Sequence, residues 1–206
     1  MRRFLLGVFS ALLFVCAVAL LTGLALIRQS RGFSASEQPT AMEGWVAKQT
    51  RSLAMPAEAK SRMNPIENSP EAIEAGRAHW ADHCFSCHAN DGSGDTTLGK
   101  HLYPPAPDMR LPATQQLTDG ELFYIIQNGI RLTGMPAWSS GSSHDEEDSW
   151  KLVHFIRHLP QITLEEKKAM EKMNPKSPDE LLEEQEEEKF LRGEDSNEPT
   201  HEHHHH

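Results

Sequence analysis

The sequence predicts an all-α fold, and three observations carry that expectation. Helix-opening signals recur at Ser69, Thr118 and Ser143, apolar residues follow each of them at helical spacing, and no segment alternates convincingly as a strand. Three or four helices joined by long loops are expected within residues 67–160. Such a core is small for the length of its loops, which implies that something other than side chains fills the middle.

The elements follow in chain order. Residues 4–27, FLLGVFSALLFVCAVALLTGLALI, carry no charge and would extend roughly 36 Å as a helix, enough to cross a hydrocarbon core. A cleavable signal has a shorter apolar region, so residues 1–27 are expected to form a retained transmembrane anchor; cleavage near Ser34-Ala35-Ser36 is the alternative. Cys16 reads as a small apolar residue of the span, since Phe14 and Val15 do not resemble a lipidation signal. Arg2 and Arg3 at one end balance Arg28 and Arg31 at the other, so charge alone leaves the orientation open. Residues 28–66, interrupted by Pro39, Pro56 and Pro65, read as a tether with a short helix over Met42 to Ala54.

Within 67–160, Ser69-Pro-Glu71 gives an N-cap, a proline at the first helical position and an acid in the first turn. The helix should run through Ile73, Gly76 and Trp80 towards Cys84. Thr118-Asp-Gly-Glu121 forms a capping box before LFYIIQN, with Gly129 as the stop. Ser143-His-Asp-Glu146 should open a last helix that Pro160 halts. Residues 161–206 are expected to be a charged tail. Thr163-Leu-Glu-Glu166 and Ser177-Pro-Asp-Glu180 open helices there that are polar all round, solvated extensions rather than core.

The net charge of −10 is unevenly spread: +2 over residues 1–27, +3 over 28–66, −7 over 67–160 and −8 over 161–206. An acidic surface repels phosphate backbones, which excludes nucleic acid as a partner and suits a protein with a basic docking face. The terminal THEHHHH is broken by Glu202, unlike the unbroken histidines of a purification tag. It reads as a natural segment whose neutral imidazoles would hold Zn, Cu or Ni loosely.

Two of the three cysteines lie in Asp82-His-Cys-Phe-Ser-Cys-His88. A structural zinc site needs four ligands, typically two such pairs, and no second C-x-x-C is present. A thioredoxin-like dithiol needs a βαβ context, and a disulfide leaves His88 unexplained. C-x-x-C-H is the attachment signature of c-type haem, with two thioethers to the porphyrin and the adjacent histidine on iron. Cys84 and Cys87 are therefore the candidate attachment residues and His88 the candidate iron ligand.

The surroundings extend this. GRAHWADHCFSCH resembles the opening of class I c-type cytochromes: glycine, three residues, an aromatic, three residues, then C-x-x-C-H. The resemblance continues through DGSG at 91–94, PPAPDM at 104–109, IIQNGIRLTGMPAW at 125–138 and WKLVHFIRHL at 150–159, covering about 67–160. It implies a cytochrome c-like helical domain wrapped round one covalent haem c. Met135, in Gly134-Met-Pro136, matches the family's distal methionine, with His101 the alternative distal ligand. Leu152, Phe155 and Trp80 are the expected packing partners of Gly76. Pro107 matches the proline whose carbonyl accepts a hydrogen bond from the proximal histidine, while Tyr103 and Trp138 match haem-packing groups. Ala89 departs from the glycine common after the ligand histidine, a change that looks minor by size. His79, His83, His144, His154 and His158 read as ordinary polar residues.

The implied function is one-electron transfer by a membrane-tethered monohaem cytochrome c, not an enzyme in its own right. The resemblance also implies the side: a short N-terminus inside the bacterial cytoplasmic membrane and everything after Arg28 on its periplasmic face. Redox proteins are the expected partners. Two alternatives stand beside this reading: a haem subunit fixed in a respiratory or dehydrogenase complex, and a metal-handling or sensory protein using the histidine tail.

Overall fold

The structure, a computed structural model, describes residues 1–29, 34 and 37–192. Ala35 and Ser36 of the alternative cleavage site, and the histidine-rich segment 200–206, lie outside the described residues. Helices account for all the regular structure among the described residues: α1 (Arg2–Gln29), α2 (Ala41–Ala54), α3 (Ala57–Ser61), α4 (Pro70–His83), α5 (Phe85–His88), α6 (Thr97–Lys100), α7 (Pro112–Gln115), α8 (Asp119–Asn128), α9 (Ser143–His158), α10 (Leu164–Glu171) and α11 (Pro178–Leu191). Leu159–Gln161 adds a 3₁₀ turn. The all-α expectation holds. Residues Arg2–Arg28 of α1 are long and apolar enough to cross a membrane, and none of their most apolar stretch is buried against the rest of the chain.

The core is built on the crossing of α4 and α9. The Ser69 hydroxyl accepts from the Ala72 amide and Pro70 occupies the first turn, so α4 starts where the sequence signals it. Ala72, Gly76 and Trp80 then recur every four residues on one buried face. At Gly76 a side chain has no room: a Cβ there would lie 2.3 Å from the Lys151 carbonyl oxygen and 3.0 Å from the Phe155 Cβ. That close approach lets Trp80 meet Phe155 edge-on, with ring centroids 5.6 Å apart. The α8 helix completes the core with Leu122, Phe123 and Ile126, and Phe123 stacks on Trp150 at 4.0 Å.

Three expectations need correction. The last large helix is capped one residue earlier than the box at Ser143 implies. Ser142 accepts from the Asp145 amide at 3.1 Å, and the Asp145 carboxylate turns back to the amide and hydroxyl of Ser140. The aspartate fixes the loop before the helix and thereby decides which of two adjacent serines caps it.

The tether is not free to its end. Thr118 donates its hydroxyl to the Lys60 carbonyl at 3.0 Å, Asn64 donates to the Trp150 carbonyl at 3.0 Å, and His154 Nε2 donates to the Ile66 carbonyl at 2.9 Å. Gly120 permits this, since a Cβ there would lie 2.0 Å from the Ala59 carbonyl oxygen. Arg62 spans Phe123, 4.4 Å from its ring centre, and pairs with Glu146 at 3.1 Å. Met55 is buried as well. Polar side chains capping helix ends and open carbonyls, rather than an apolar stripe, hold 55–66 in place.

The α10 helix is not a solvated extension. Its capping box at Thr163 and Glu166 forms as read, but Met170 is fully buried in the core cluster. Glu166 also faces His158 at 2.8 Å and Arg77 at 3.8 Å. Helix α11, by contrast, buries nothing and remains outside the core as expected. Met170→Ala should therefore cost about 2–5 kcal/mol, as a cavity under a fully buried side chain does. Leu182→Ala on α11 should stay within about 0.5 kcal/mol of the parent. Guanidinium unfolding of the two variants checks the difference.

Candidate functional site

The C-x-x-C-H segment sits at the C-terminus of α4, where the chain turns into the short α5. Cys84 closes α4, with its amide donating to the Trp80 carbonyl at 2.9 Å, and its own carbonyl accepts from the His88 amide at 2.9 Å. One turn of helix thus carries both cysteines and the histidine. None of the cysteines is disulfide-bonded, and among the described residues no three His, Cys, Asp or Glu side chains converge on a metal-sized site.

The surroundings grip this turn by its backbone. Trp80 donates its indole nitrogen to the Ala89 carbonyl at 2.9 Å, Thr96 donates its hydroxyl to the Ser86 carbonyl at 2.7 Å, and the Gly94 amide donates to the His88 carbonyl at 2.9 Å. Gly99 brings α6 against the turn, since a Cβ there would lie 2.1 Å from the Cys87 carbonyl oxygen. Beyond it, the Met109 amide donates to the Gly92 carbonyl at 2.8 Å, and Arg110 joins Asp91 at 3.1 Å to Asp108 at 2.7 Å. The sequence reading missed Thr96, Gly99 and the Asp91–Arg110–Asp108 bridge. The glycines of DGSG and the paired acids at 91 and 108 were the available signals.

The chemistry of the three side chains is set by burial. Desolvation, and then the neighbouring Cys87, push the Cys84 thiol up to about 12, so it stays protonated at neutral pH. Burial pushes the His88 imidazole down to about 4, so it is neutral and carries a free lone pair for a metal. Its Nδ1 is buried without a hydrogen-bond partner. The expected bond from this ring to the Pro107 carbonyl is not made; that carbonyl oxygen instead lies near Gly94, 3.3 Å from where a Cβ would be. A neutral imidazole beside two thiols free of disulfides on one helical turn is a donor set that fits a c-type haem.

The segment bearing Met135 returns to the same end of α4. Met135 is half-buried, and its carbonyl accepts from the Ile130 amide at 3.1 Å. The turn depends on Gly129, whose φ of 64° stops α8 and whose hydrogen faces the Met135 carbonyl. Three residues on, Trp138 donates its amide to the Ile126 carbonyl at 3.1 Å and sets its ring 5.3 Å from His83. Gly134 meets the Leu102 side chain, so this segment packs against the residues just before the PPAP loop. Met109 packs against the core. His101 is exposed and donates Nδ1 to the Thr97 carbonyl at 2.6 Å. Tyr103 is exposed rather than packed inward. His154 is buried and bonded to Ile66, not a surface residue.

A C-x-x-C-H turn held at the end of a helix in an all-helical fold makes this part of the chain similar to a c-type cytochrome domain, the haem electron-transfer module that the family match supports. Residues 71–156, less than half of the chain, match the family described as Cytochrome C oxidase, cbb3-type, subunit III. A solved structure, the reducing HAO-like protein complex of Kuenenia stuttgartiensis, is similar at 20% identity and a TM-score of 0.40. The similarity covers 46% of this chain and 46% of that one, so the chain spans under half the length of that relative. No curated protein matches.

Ala89 is the point where the site departs from ideal chemistry. Its φ of 59° and ψ of 162° fall in a region that essentially only glycine occupies without strain. The glycine common at this position is thus about backbone conformation, not side-chain size. Ala89→Gly should relieve strain of about 1–3 kcal/mol, partly offset by about 0.4–1 kcal/mol of added chain freedom in the unfolded state. The expected outcome is a higher denaturation midpoint, with Ala89→Val lower than the parent.

Proposed function

We propose that the chain is a one-electron carrier with a single haem c joined through thioethers to Cys84 and Cys87 and held on iron by His88 and Met135. The observation that carries this is the half-buried, neutral His88 in one helical turn with two cysteines free of disulfides, inside the segment that matches a cytochrome family. The count of one follows from the one C-x-x-C-H motif in the sequence. The haem supplies the reversible ferric–ferrous couple when bound. The protein's part is to orient the imidazole through the Trp80 and Gly94 contacts and to exclude water by the α4–α9 packing. Were His88 and Met135 both to hold the iron, no coordination site would be left open, which would favour electron transfer over oxygen or peroxide chemistry. His101 is poorly placed as the distal ligand, because it is exposed and its Nδ1 is engaged by Thr97.

On this reading residues 1–27 anchor the chain in the bacterial cytoplasmic membrane and the domain of 67–160 lies on the periplasmic face. The length and apolarity of α1 support the anchor, and haem attachment of this class supports the side. The acidic domain and tail suit a redox partner with a basic face. The description of the matching family as an oxidase subunit favours a second reading, in which the chain is a fixed haem subunit of a respiratory complex. Stoichiometric co-purification in mild detergent would distinguish that subunit from a free carrier.

Haem staining of the denatured chain tests the attachment. The parent should retain stain and gain the mass of one haem, and Cys84→Ala/Cys87→Ala should lose both. A parent chain that releases its haem on denaturation overturns the reading. For the axial pair, a neutral thioether favours ferrous iron over ferric more than an imidazole does. Met135→His should therefore lower the midpoint potential and remove the methionine–ferric charge-transfer band, with the thioethers intact. An unchanged low-spin spectrum and midpoint in Met135→Leu would assign the distal position to another residue.

A further inference from the structure

We infer that α2 is a membrane-surface helix: its apolar face lies in the headgroup region of the bilayer that α1 crosses. The inference rests on the membrane-spanning reading of α1. Helix α2 is complete in itself, 14 residues opened by a full capping box in which Thr40 and Glu43 exchange side-chain-to-amide hydrogen bonds at 3.3 and 2.7 Å. At 100° per residue, Met42, Trp45, Val46, Gln49 and Leu53 fall within about 100° of arc. That stripe is not used in the fold: no α2 residue is buried, Trp45 is 63% exposed and Leu53 85%. Four large apolar side chains on one face of a helix need an occupant.

Three features favour lipid as that occupant. Continuity comes first: residues 30–40 are all that separates α1 from α2, a span of at most about 40 Å even when fully extended, so α2 stays beside the membrane. Charge is the second. Lys48 and Arg51 lie off the apolar stripe, and residues 28–66 carry +3 in a chain whose following domain and tail carry −7 and −8. An anionic lipid surface attracts this segment and repels the rest. The third is the side-chain type: a tryptophan on the apolar face with lysine and arginine on the other is the composition of helices that lie in the interface plane. The α2 helix is also tied to α3, whose Lys60 Nζ donates to the Ser52 carbonyl at 2.7 Å, and the Lys60 carbonyl in turn accepts from Thr118 of the domain at 3.0 Å. A helix fixed to the bilayer and, through α3, to the domain would hold that domain close above the membrane.

The test uses the full haem-loaded chain in vesicles of phosphatidylcholine and phosphatidylglycerol, with a nitroxide on one cysteine at a time. A label on native Cys16 reports on α1. In a Cys16→Ala background, labels at Val46→Cys and Leu53→Cys report on the apolar face, and labels at Ala47→Cys and Ala54→Cys on the opposite one. Oxygen should collide with labels 46 and 53 several-fold more, relative to an aqueous nickel chelate, than with labels 47 and 54. Adding Trp45→Glu/Leu53→Glu to the Val46 label should abolish that contrast, whereas the same pair should leave the Cys16 label unchanged. Four aqueous α2 labels with a lipid-immersed Cys16 label overturn the inference while α1 still spans. Labels 46 and 53 shielded from both probes, or coupled between copies, overturn it in favour of a protein surface. An aqueous Cys16 label removes the spanning reading itself.

Discussion

The absence of a side chain at Gly76 is the constraint on which the rest of this domain depends. With the Lys151 carbonyl 2.3 Å from where a Cβ would be, α4 and α9 cross as closely as two backbones can. That separation places the Trp80 indole between Phe155 and the Ala89 carbonyl, so one side chain both fills the core and pins the end of the C-x-x-C-H turn. A wider crossing would free the indole, and with it the loop that follows His88. Stability and site geometry are therefore one problem in this fold, solved at one residue.

The second layer is polar. Around α8 and α9 the carbonyls of Lys60, Ile66, Trp150 and Ile156 each receive a side-chain donor, from Thr118, His154, Asn64 and Gln115. At Ile66 the bond satisfies a backbone group outside any helix, and at Ile156 it supplies the donor that Pro160 lacks. A small core with extended loops needs such contacts more than a bundle does, because its apolar area is limited.

The sequence made legible what local chemistry dictates. The caps at Thr118, Thr163 and Ser177 formed where the hydroxyl and the acid three residues on announced them, and Ser69 caps α4 just ahead of Pro70. Gly76 and Trp80 were readable from their spacing to Cys84. What escaped depends on tertiary neighbours. Met170 is one apolar residue in a charged helix, and no periodicity distinguishes a buried methionine from an exposed one. The role of Ala89 was judged by volume, whereas its φ of 59° is a property of the turn and not of the side chain. The bracing of 55–66 rests on single polar pairs more than fifty residues apart in sequence, a kind of contact that leaves no local pattern. The orphaned Nδ1 of His88 could not be read from sequence at all.

The bracing of 55–66 bears on how the domain would meet its partners. Because Arg62, Asn64 and Ile66 are fixed to α8 and α9, the chain between α1 and the folded domain is much shorter than the thirty-nine residues of 28–66. For a domain held by α1, a short leash replaces a three-dimensional search by one within a thin shell above the bilayer. Partners in the same membrane would then meet a domain concentrated within that shell, at a level set by the number of copies per area of membrane rather than per volume of cell. Partners beyond that shell are excluded by reach rather than by affinity. Selection of the redox partner would thus begin with where the leash ends.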